Sequence, residues 1–209
     1  MRLYLASTSP ARLATLRAAG IEPLVLPSHV DEEAAVRAAG PLEPATMVAM
    51  LARLKAEAVL GPDIDGLVLG CDSAFELDGV AYGKPHEPAV ARERWRMQRG
   101  RSGVLHSAHW LVDHRGGGAH GAAGTVASTT VRFADDIDDE EIEAYIATGE
   151  PLEVAGAFTL DARGAGFIRG VEGDPHAVVG LSVAGLRALV RSFDIRWPAL
   201  WNREPGGTR

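Results

Sequence analysis

The sequence has 209 residues and a mass of 22.1 kDa, which suits one large domain or two lobes that share a core. Its hydrophobic content of 46% is typical of a globular protein, and no apolar run reaches the length needed to cross a bilayer. A net charge of −7 argues against a nucleic-acid-binding face, and the single cysteine, Cys71, excludes an intramolecular disulfide and suits a reducing cytoplasm.

The chain opens with an apolar strand that leads through a hydroxyl-rich turn into the first predicted helix. Ser9 suits the N-cap of this helix and Pro10 its first position. Arg12 lies in the first turn, where the helix dipole disfavours a cation. Arg12 therefore either turns to solvent or faces an anion bound at the helix N-terminus. The opening strand carries Ser7 and Ser9 and lacks a signal-peptide core, so we expect a cytoplasmic protein.

Helices and strands alternate along the rest of the sequence, which indicates an α/β fold. An Asp78-Gly79 pair between apolar runs predicts a hairpin, and the chain is expected to fray from residue 198. We therefore predict a single domain at 1–197 and a flexible tail at 198–209. The predicted helices begin at Pro10, Pro44, Pro88, Asp138 and Val183, and the predicted strands lie at 21–26, 66–70, 74–77, 80–82, 104–112 and 125–133.

Several charged residues lie in predicted loops, at strand ends or beside an apolar stripe. Asp72 follows the strand at 66–70, where its carboxylate could act as a desolvated base or could cap an Asx-turn. Lys55 borders the stripe of the second helix and either snorkels to solvent or reaches a cleft. Carboxylates from separate loops hold Mg²⁺ or Mn²⁺ against phosphates, and cations neutralise phosphate charge. The candidates are the acidic residues Asp31, Glu32, Asp72 and Asp174 and the cations Arg12, Lys55 and Lys84.

A glycine-rich segment and its flanks carry several histidines, which raises the question of a zinc site. Their spacing matches no compact zinc motif, and such loops are usually solvated, so zinc is not the favoured interpretation. The histidines concerned are His106, His109, His114 and His120.

Short motifs spread along the chain carry a family resemblance. They are LASTSPARL, VDEE, Lys55-Ala56, LGCDS, GKP, YIATGEP, AGAF and GDPHAVVGL, in that order, from residue 3 to about 193. In this order they resemble the Maf family of nucleoside triphosphate pyrophosphatases. The resemblance implies a mixed twisted sheet flanked by helices, with two lobes around a central cleft, similar to ITPase-type pyrophosphatases. It also implies a homodimer that hydrolyses a nucleoside triphosphate to the monophosphate and pyrophosphate with a divalent cation, Mg or Mn.

The resemblance assigns roles to individual residues. Asp72 matches the family's proton acceptor, and Glu32 and Asp72 are the expected metal ligands. Substrate-binding residues implied in the same way are Ser7, Ser9, Arg12, Lys55 and Lys84.

The chain departs from the family pattern at positions that the family uses to select the base. Ala11 stands where an arginine is common, Ser73 where threonine is common, and Asp161 where a glutamine is associated with pyrimidine preference. The preferred base is therefore left open.

Two other functions compete with a pyrophosphatase. A non-catalytic nucleotide-binding regulator of cell division would need phosphate-binding cations but no base, and a phosphatase would release orthophosphate instead of pyrophosphate. The presence of Asp72 together with Lys55 and Lys84 favours the enzyme over the regulator.

Overall fold

The structure is a computed structural model that describes residues 1–203. The helices are α1 Pro10–Ala18, α2 Glu32–Ala39, α3 Pro44–Glu57, α4 Pro88–Gln98, α5 Asp139–Ala147, α6 Pro175–Val178 and α7 Val183–Ser192. The strands are β1 Leu3–Ala6, β2 Leu24–Val25, β3 Gly66–Leu77, β4 Val80–Tyr82, β5 Ser102–His114, β6 Gly121–Phe133 and β7 Ile168–Glu172.

All seven strands form one sheet in the order β2-β1-β3-β5-β6-β7, with β4 paired to β3. β1 runs parallel to β2 and β3, whereas β3, β5, β6 and β7 pair antiparallel in succession. Helices pack on both faces of this sheet. The predicted mixed α/β fold, with a sheet flanked by helices, is confirmed.

One edge of β3 is shared by two short strands that do not meet. β1 pairs with β3 as far as Ala6 opposite Gly70, and β4 begins its pairing at Tyr82 opposite Phe75. Within the described residues, no strand pairs with residues 71–74 along this edge. The gap opens the molecule between β1 on one side and β4 on the other.

The side chains pack into separate clusters on the two sides of this gap. One cluster surrounds β1, α1 and α7, and its members include Leu5, Leu16 and Leu186. The other is rich in aromatic rings, with Phe75, Phe133 and Trp95 in edge-to-face contact. The two clusters correspond to the two predicted lobes, which the long strands β3, β5 and β6 join.

Several elements differ from the sequence prediction because long-range pairing decides them. β3 continues through Asp72 to Leu77, since β5 pairs with it residue by residue from Gly66 to Glu76. Asp72 therefore lies inside a strand and not at a strand end. The predicted strand at 21–26 is reduced to β2, and the polar loop after Asp31 forms α2, with Asp31 as its N-cap.

The C-terminal segment stays packed beyond the predicted boundary at residue 198. Leu200 is fully buried in the cluster around β1, and the side chain of Asn202 both accepts from and donates to the backbone of Glu22. Residues 198–203 therefore belong to the folded domain. The rest of the predicted tail, 204–209, lies outside the described residues.

Local signals were accurate at helix ends and turns. Ser9 caps α1 by accepting from the amide of Arg12, Asp138 forms a capping box with Glu141, and the Asp78-Gly79 turn joins β3 to β4. Among the described helices, none has both the length and the apolar character that a bilayer crossing requires.

Glycine 70 lets α3 lie directly on β3. A Cβ atom at Gly70 would lie 2.0 Å from the carbonyl oxygen of Ala52 and 2.7 Å from the amide nitrogen of Ala56. Both are backbone atoms of α3, which cannot move aside without shifting the helix. The missing side chain thus fixes the distance between α3 and the strand that carries Asp72.

Gly70→Ala should therefore destabilise the protein by about 1–3 kcal/mol, the range for overpacking in a tight core. Gly61→Ala is the matched control, because a Cβ there meets nothing within 4 Å. Urea unfolding followed by circular dichroism measures both. Equal stability of the two variants would show that α3 does not need this close approach.

Candidate active site

A short contact between α3 and β3 joins a buried cation to a buried carboxylate. Lys55 Nζ lies 2.6 Å from Asp72 Oδ1 and 2.8 Å from Glu32 Oε1. The side chains of Lys55 and Asp72 are each only 10% exposed, whereas that of Glu32 is 48% exposed at the start of α2. Lys55 thus does not snorkel to solvent, and Asp72 does not cap an Asx-turn.

Burial makes Asp72 a stronger base than an exposed aspartate. Desolvation raises the pKa of the Asp72 carboxyl above its ordinary value, and the charges of Lys55 and Arg12 oppose this rise. Among the described residues, no hydrogen-bond donor contacts Oδ2 of Asp72. The two lone pairs of this second oxygen are therefore left to accept a proton and to bind a cation.

Arg12 lies on the opposite face of β3 and is committed to groups of its own chain. Side chains alternate along a strand, so Asp72 faces α3 while Ser73 faces Arg12. Four of the five guanidinium N–H groups donate to protein acceptors. These acceptors, at 3.0 to 3.1 Å, are Gly180 O, Ser7 Oγ, Cys71 O and Ser73 Oγ. Arg12 is 9% exposed, so it neither turns to solvent nor keeps a free fork for an anion.

Two serine hydroxyls, those of Ser73 and Ser107, continue the contact made by Arg12. The last hydrogen bond of the series decides which hydroxyl donates in the others. The Ser107 hydroxyl donates to Ala177 O at 2.7 Å, so Ser107 Oγ must accept from Ser73, 2.8 Å away. Ser73 in turn accepts from Arg12 at 3.0 Å. The hydrogen of the Ser73 hydroxyl is thus used inside the protein, and Ser73 can offer a ligand only an acceptor lone pair.

The turn between β1 and α1 keeps donors free at the gap. Ser7 Oγ accepts from the amide of Ser9 and from Arg12, and Ser9 Oγ accepts from the amide of Arg12. Both hydroxyl hydrogens remain available, because neither serine side chain donates to a described residue. The amide of Ala11, in the first turn of α1, also lacks an acceptor among the described residues. This turn can therefore donate to an anion at the helix N-terminus.

Lys84 approaches the gap from the other lobe. β4 runs antiparallel to β3 and ends at Tyr82 opposite Phe75, so the chain that follows it heads toward residues 71–74. Lys84 comes next after Gly83, and its side chain is 52% exposed with Nζ 3.8 Å from Glu153 Oε2. Such an exposed pair is weak, and it leaves the lysine able to change partner.

The predicted specificity residues do not form one cluster. Ala11 is partly buried in the first turn of α1, Ser73 lies on β3, and Asp161 is exposed in the segment before β7. No described residue makes a hydrogen bond or an ion pair with the Asp161 carboxylate. The structure therefore joins Ser73 to Arg12 but leaves Asp161 on a surface of the second lobe.

Asp174, a carboxylate that the sequence also singled out, has a structural role. Its Oδ1 accepts from the amide of His176, and its Oδ2 accepts from the Ser182 hydroxyl at 2.5 Å. Asp174 thus caps α6 and ties it to the start of α7. His109 braces the same point by accepting from the Ser182 amide, and burial, with the nearby Arg12 charge, lowers the His109 pKa to about 4. His109 is therefore neutral at pH 7.

The four histidines considered for zinc have separate partners in the structure. No group of three or more His, Cys, Asp or Glu side chains among residues 1–203 could hold a metal ion. The ring partners are Glu76 and Ser128 for His106, Ser182 for His109, Ile64 O for His114 and Arg115 O for His120.

A divalent cation held jointly with a ligand does fit the donor set. Glu32 Oε1 and Asp72 Oδ1 both contact Lys55 Nζ, so the two carboxylates lie close together on either side of the ammonium group. Mg²⁺ is usually bound through one or two protein carboxylates, with water and substrate phosphates completing its shell. The two carboxylates suit such a partial site, in which a phosphate ligand supplies the missing oxygens.

Sequence reasoning missed the residues that hold these groups in place. Ser107 carries no motif signal, and Gly180 lies in the GDPHAVVGL motif without a role assigned to it, because the importance of both lies in contacts with residues far away in the chain. Gly180 adopts a φ of +108° and presents its carbonyl to Arg12. Such φ values favour glycine, so the glycine itself was the available signal in the sequence.

The fold and the site define an α/β protein with a buried carboxylate between two cations at a gap in the sheet. The sequence profile of the family described as Maf-like protein matches residues 2–193, and the chain belongs to this family. A relative in Leifsonia xyli subsp. xyli, named nucleoside triphosphate pyrophosphatase, is 66% identical, with 97% of this chain and 98% of that protein covered. Relatives of the same name in Salinispora tropica and Streptomyces coelicolor are 52% and 49% identical. They match 97% and 96% of this chain and 88% and 94% of their own lengths.

Ser107→Ala should lower the free energy of unfolding by about 0.5–1.5 kcal/mol, because it removes a buried hydrogen bond to the carbonyl of Ala177, which keeps the Gly180 amide as a donor. It also frees the Ser73 hydroxyl hydrogen. Ser102→Ala is the control, since Ser102 is exposed and its side chain has no hydrogen bond to a described residue. Urea unfolding compares the two variants, and a stability of Ser107→Ala equal to that of Ser102→Ala would contradict the directed chain of hydroxyls.

Proposed function

We propose that this protein is a nucleoside triphosphate pyrophosphatase that cleaves the α–β anhydride bond and releases a nucleoside monophosphate and pyrophosphate. The observation that carries the proposal is the buried Asp72, held by Lys55 at the unpaired edge of β3. Family membership and the shared name of its relatives support the same activity.

The triphosphate would lie across the gap between the two lobes. Ser7, Ser9 and the amide of Ala11 donate to phosphate oxygens from one side, and Lys84 leaves Glu153 to contact them from the other. These donors aim at the oxygens on which charge develops as the anhydride bond breaks. Arg12 contributes its charge and holds the turn in place, while most of its N–H groups stay bound to the protein.

Glu32 and Asp72 would hold a divalent cation together with the phosphates, Mg or Mn being the expected ion. When bound, the cation supplies charge neutralisation for the phosphates and the leaving pyrophosphate. Asp72 accepts the proton of the attacking water, whose oxygen forms the new P–O bond as the bridging oxygen departs with pyrophosphate. Lys55 keeps the carboxylate oriented through its 2.6 Å contact.

Two further expectations remain proposals. The Maf resemblance implies a homodimer, and the single cysteine, fully buried, is compatible with a cytoplasmic location. Neither the dimer nor the location enters the chemistry above.

Asp72→Asn should lower the rate of pyrophosphate release by about 10²–10⁴-fold, the usual effect of removing a general base. Asp63→Asn, the same change at an exposed loop residue, is the control. Coupled assays for pyrophosphate and orthophosphate, run on a nucleotide panel, measure the products. Dominant orthophosphate would indicate a phosphatase, and binding without turnover in the wild type would indicate a regulator.

The pH profile gives an independent readout of the same residue. Asp72 is active as a base only when ionised, so the rate should fall as the pH drops through its raised pKa. The acid limb of kcat/KM, which reports the free enzyme, is therefore expected above the ordinary aspartate value of about 4 and should be absent from the residual activity of Asp72→Asn. A variant that keeps more than about a tenth of the wild-type rate would exclude Asp72 as the base.

Base selectivity should be broad. Ala11 lacks a long donor, Ser73 has its hydrogen committed to Ser107, and Asp161 is exposed, so no strong base-edge contact is fixed by these positions. Sites without a dedicated hydrogen bond discriminate poorly, so we expect several triphosphates within about tenfold in kcat/KM. A preference of roughly a thousandfold for one nucleotide would show that other residues select the base.

A further inference from the structure

A second concave surface lies at the C-terminal end of α7. It is an open groove of about 410 Å³ lined by Arg187, Arg191, Arg196, Trp197 and Pro198. The half-buried indole of Trp197 also packs against the cluster around β1. The groove therefore combines three guanidinium groups with an anchored aromatic ring.

These arginines have no carboxylate partner within the part of the chain that the structure describes. Other surface arginines do pair, as Arg101 does with Asp78 and Arg169 with Asp135. The helix dipole favours a cation at Arg191, in the last turn of α7, but it does not explain Arg187 in the middle of the helix or Arg196 beyond it. The chain as a whole has a net charge of −7, so these three arginines form a locally positive surface on an acidic protein.

The groove is separate from the gap in the sheet. The α7 helix has 10 residues and begins after Ser182, which touches His109 near Arg12. Arg191 lies at the other end of the helix, and Arg196 follows that end. A helix of this length spans about 15 Å, which places the groove outside the proposed catalytic site.

We propose that this groove is a second, non-catalytic binding site for a nucleotide. Guanidinium groups bind phosphate oxygens in a bidentate fashion, and Arg187 and Arg191 lie one turn apart on the same face of α7. An aromatic ring beside a cationic groove provides a stacking surface for a base. The phosphates therefore contact the arginines, and the base lies against Trp197.

The test uses the full chain carrying Asp72→Asn, which suppresses turnover, and isothermal titration with ATP at fixed ionic strength. We expect about two binding events per chain. Adding Arg187→Ala and Arg191→Ala should weaken the second event by about tenfold or more and leave the first unchanged. The matched control removes the same two charges elsewhere, through Arg132→Ala and Arg169→Ala, which are exposed and paired.

Inorganic pyrophosphate separates a nucleotide site from a general anion site. Weaker binding of pyrophosphate than of ATP at the second event, and loss of this difference in Trp197→Leu, would support the proposal. A single binding event, equal weakening in the control pair, or equal affinity for pyrophosphate would overturn it. A change of oligomeric state in the Arg187→Ala/Arg191→Ala protein, measured by sedimentation, would also overturn it, because a second copy would then cover the groove.

Discussion

The site depends on one feature of strand pairing, the stretch of β3 at residues 71–74 that neither β1 nor β4 reaches. An unpaired strand edge exposes backbone groups that need partners. Arg12 satisfies one of them by donating to the carbonyl of Cys71. The two loops that border the gap, after β1 and after β4, bring Ser7 and Lys84 toward it. A break in the sheet thus becomes a cleft lined from both lobes.

The alternation of side chains along β3 divides the charges of the site between two faces. Asp72 meets Lys55 on the α3 face, while Ser73 meets Arg12 on the α1 face. Both cations lower the pKa of the Asp72 carboxyl, but burial outweighs them and the net shift is upward. Because desolvation outweighs the two nearby positive charges, the Asp72 carboxylate remains more basic than an exposed aspartate.

Local patterns sufficed for the parts of the fold that depend on neighbouring residues. Ser9, Pro10 and the Asp78-Gly79 turn act through contacts within a few positions, so the sequence alone predicted them. The continuation of β3 through Asp72 depends on pairing with β5, which begins far along the chain. No local signal could predict it.

The candidate site shows the same limit. The motifs singled out Asp72, Lys55 and Glu32, and the structure brings these three side chains together. They did not reveal that the Arg12 guanidinium is bound to the protein, because its acceptors Cys71 and Gly180 lie far away in sequence. The sign of a side-chain charge can be inferred from the sequence, whereas the group that pairs with this side chain depends on the tertiary fold.

The commitment of Arg12 bears on how a triphosphate could be neutralised. With four guanidinium N–H groups bound internally, Arg12 contributes mainly long-range charge and offers little direct contact. Ala11 removes a second cation from the same turn. The remaining direct donors are hydroxyls, an amide and Lys84, which together carry one formal positive charge. A triphosphate in such a site would retain most of its negative charge, so under the proposed mechanism a divalent cation held by Glu32 and Asp72 would be the main neutralising group.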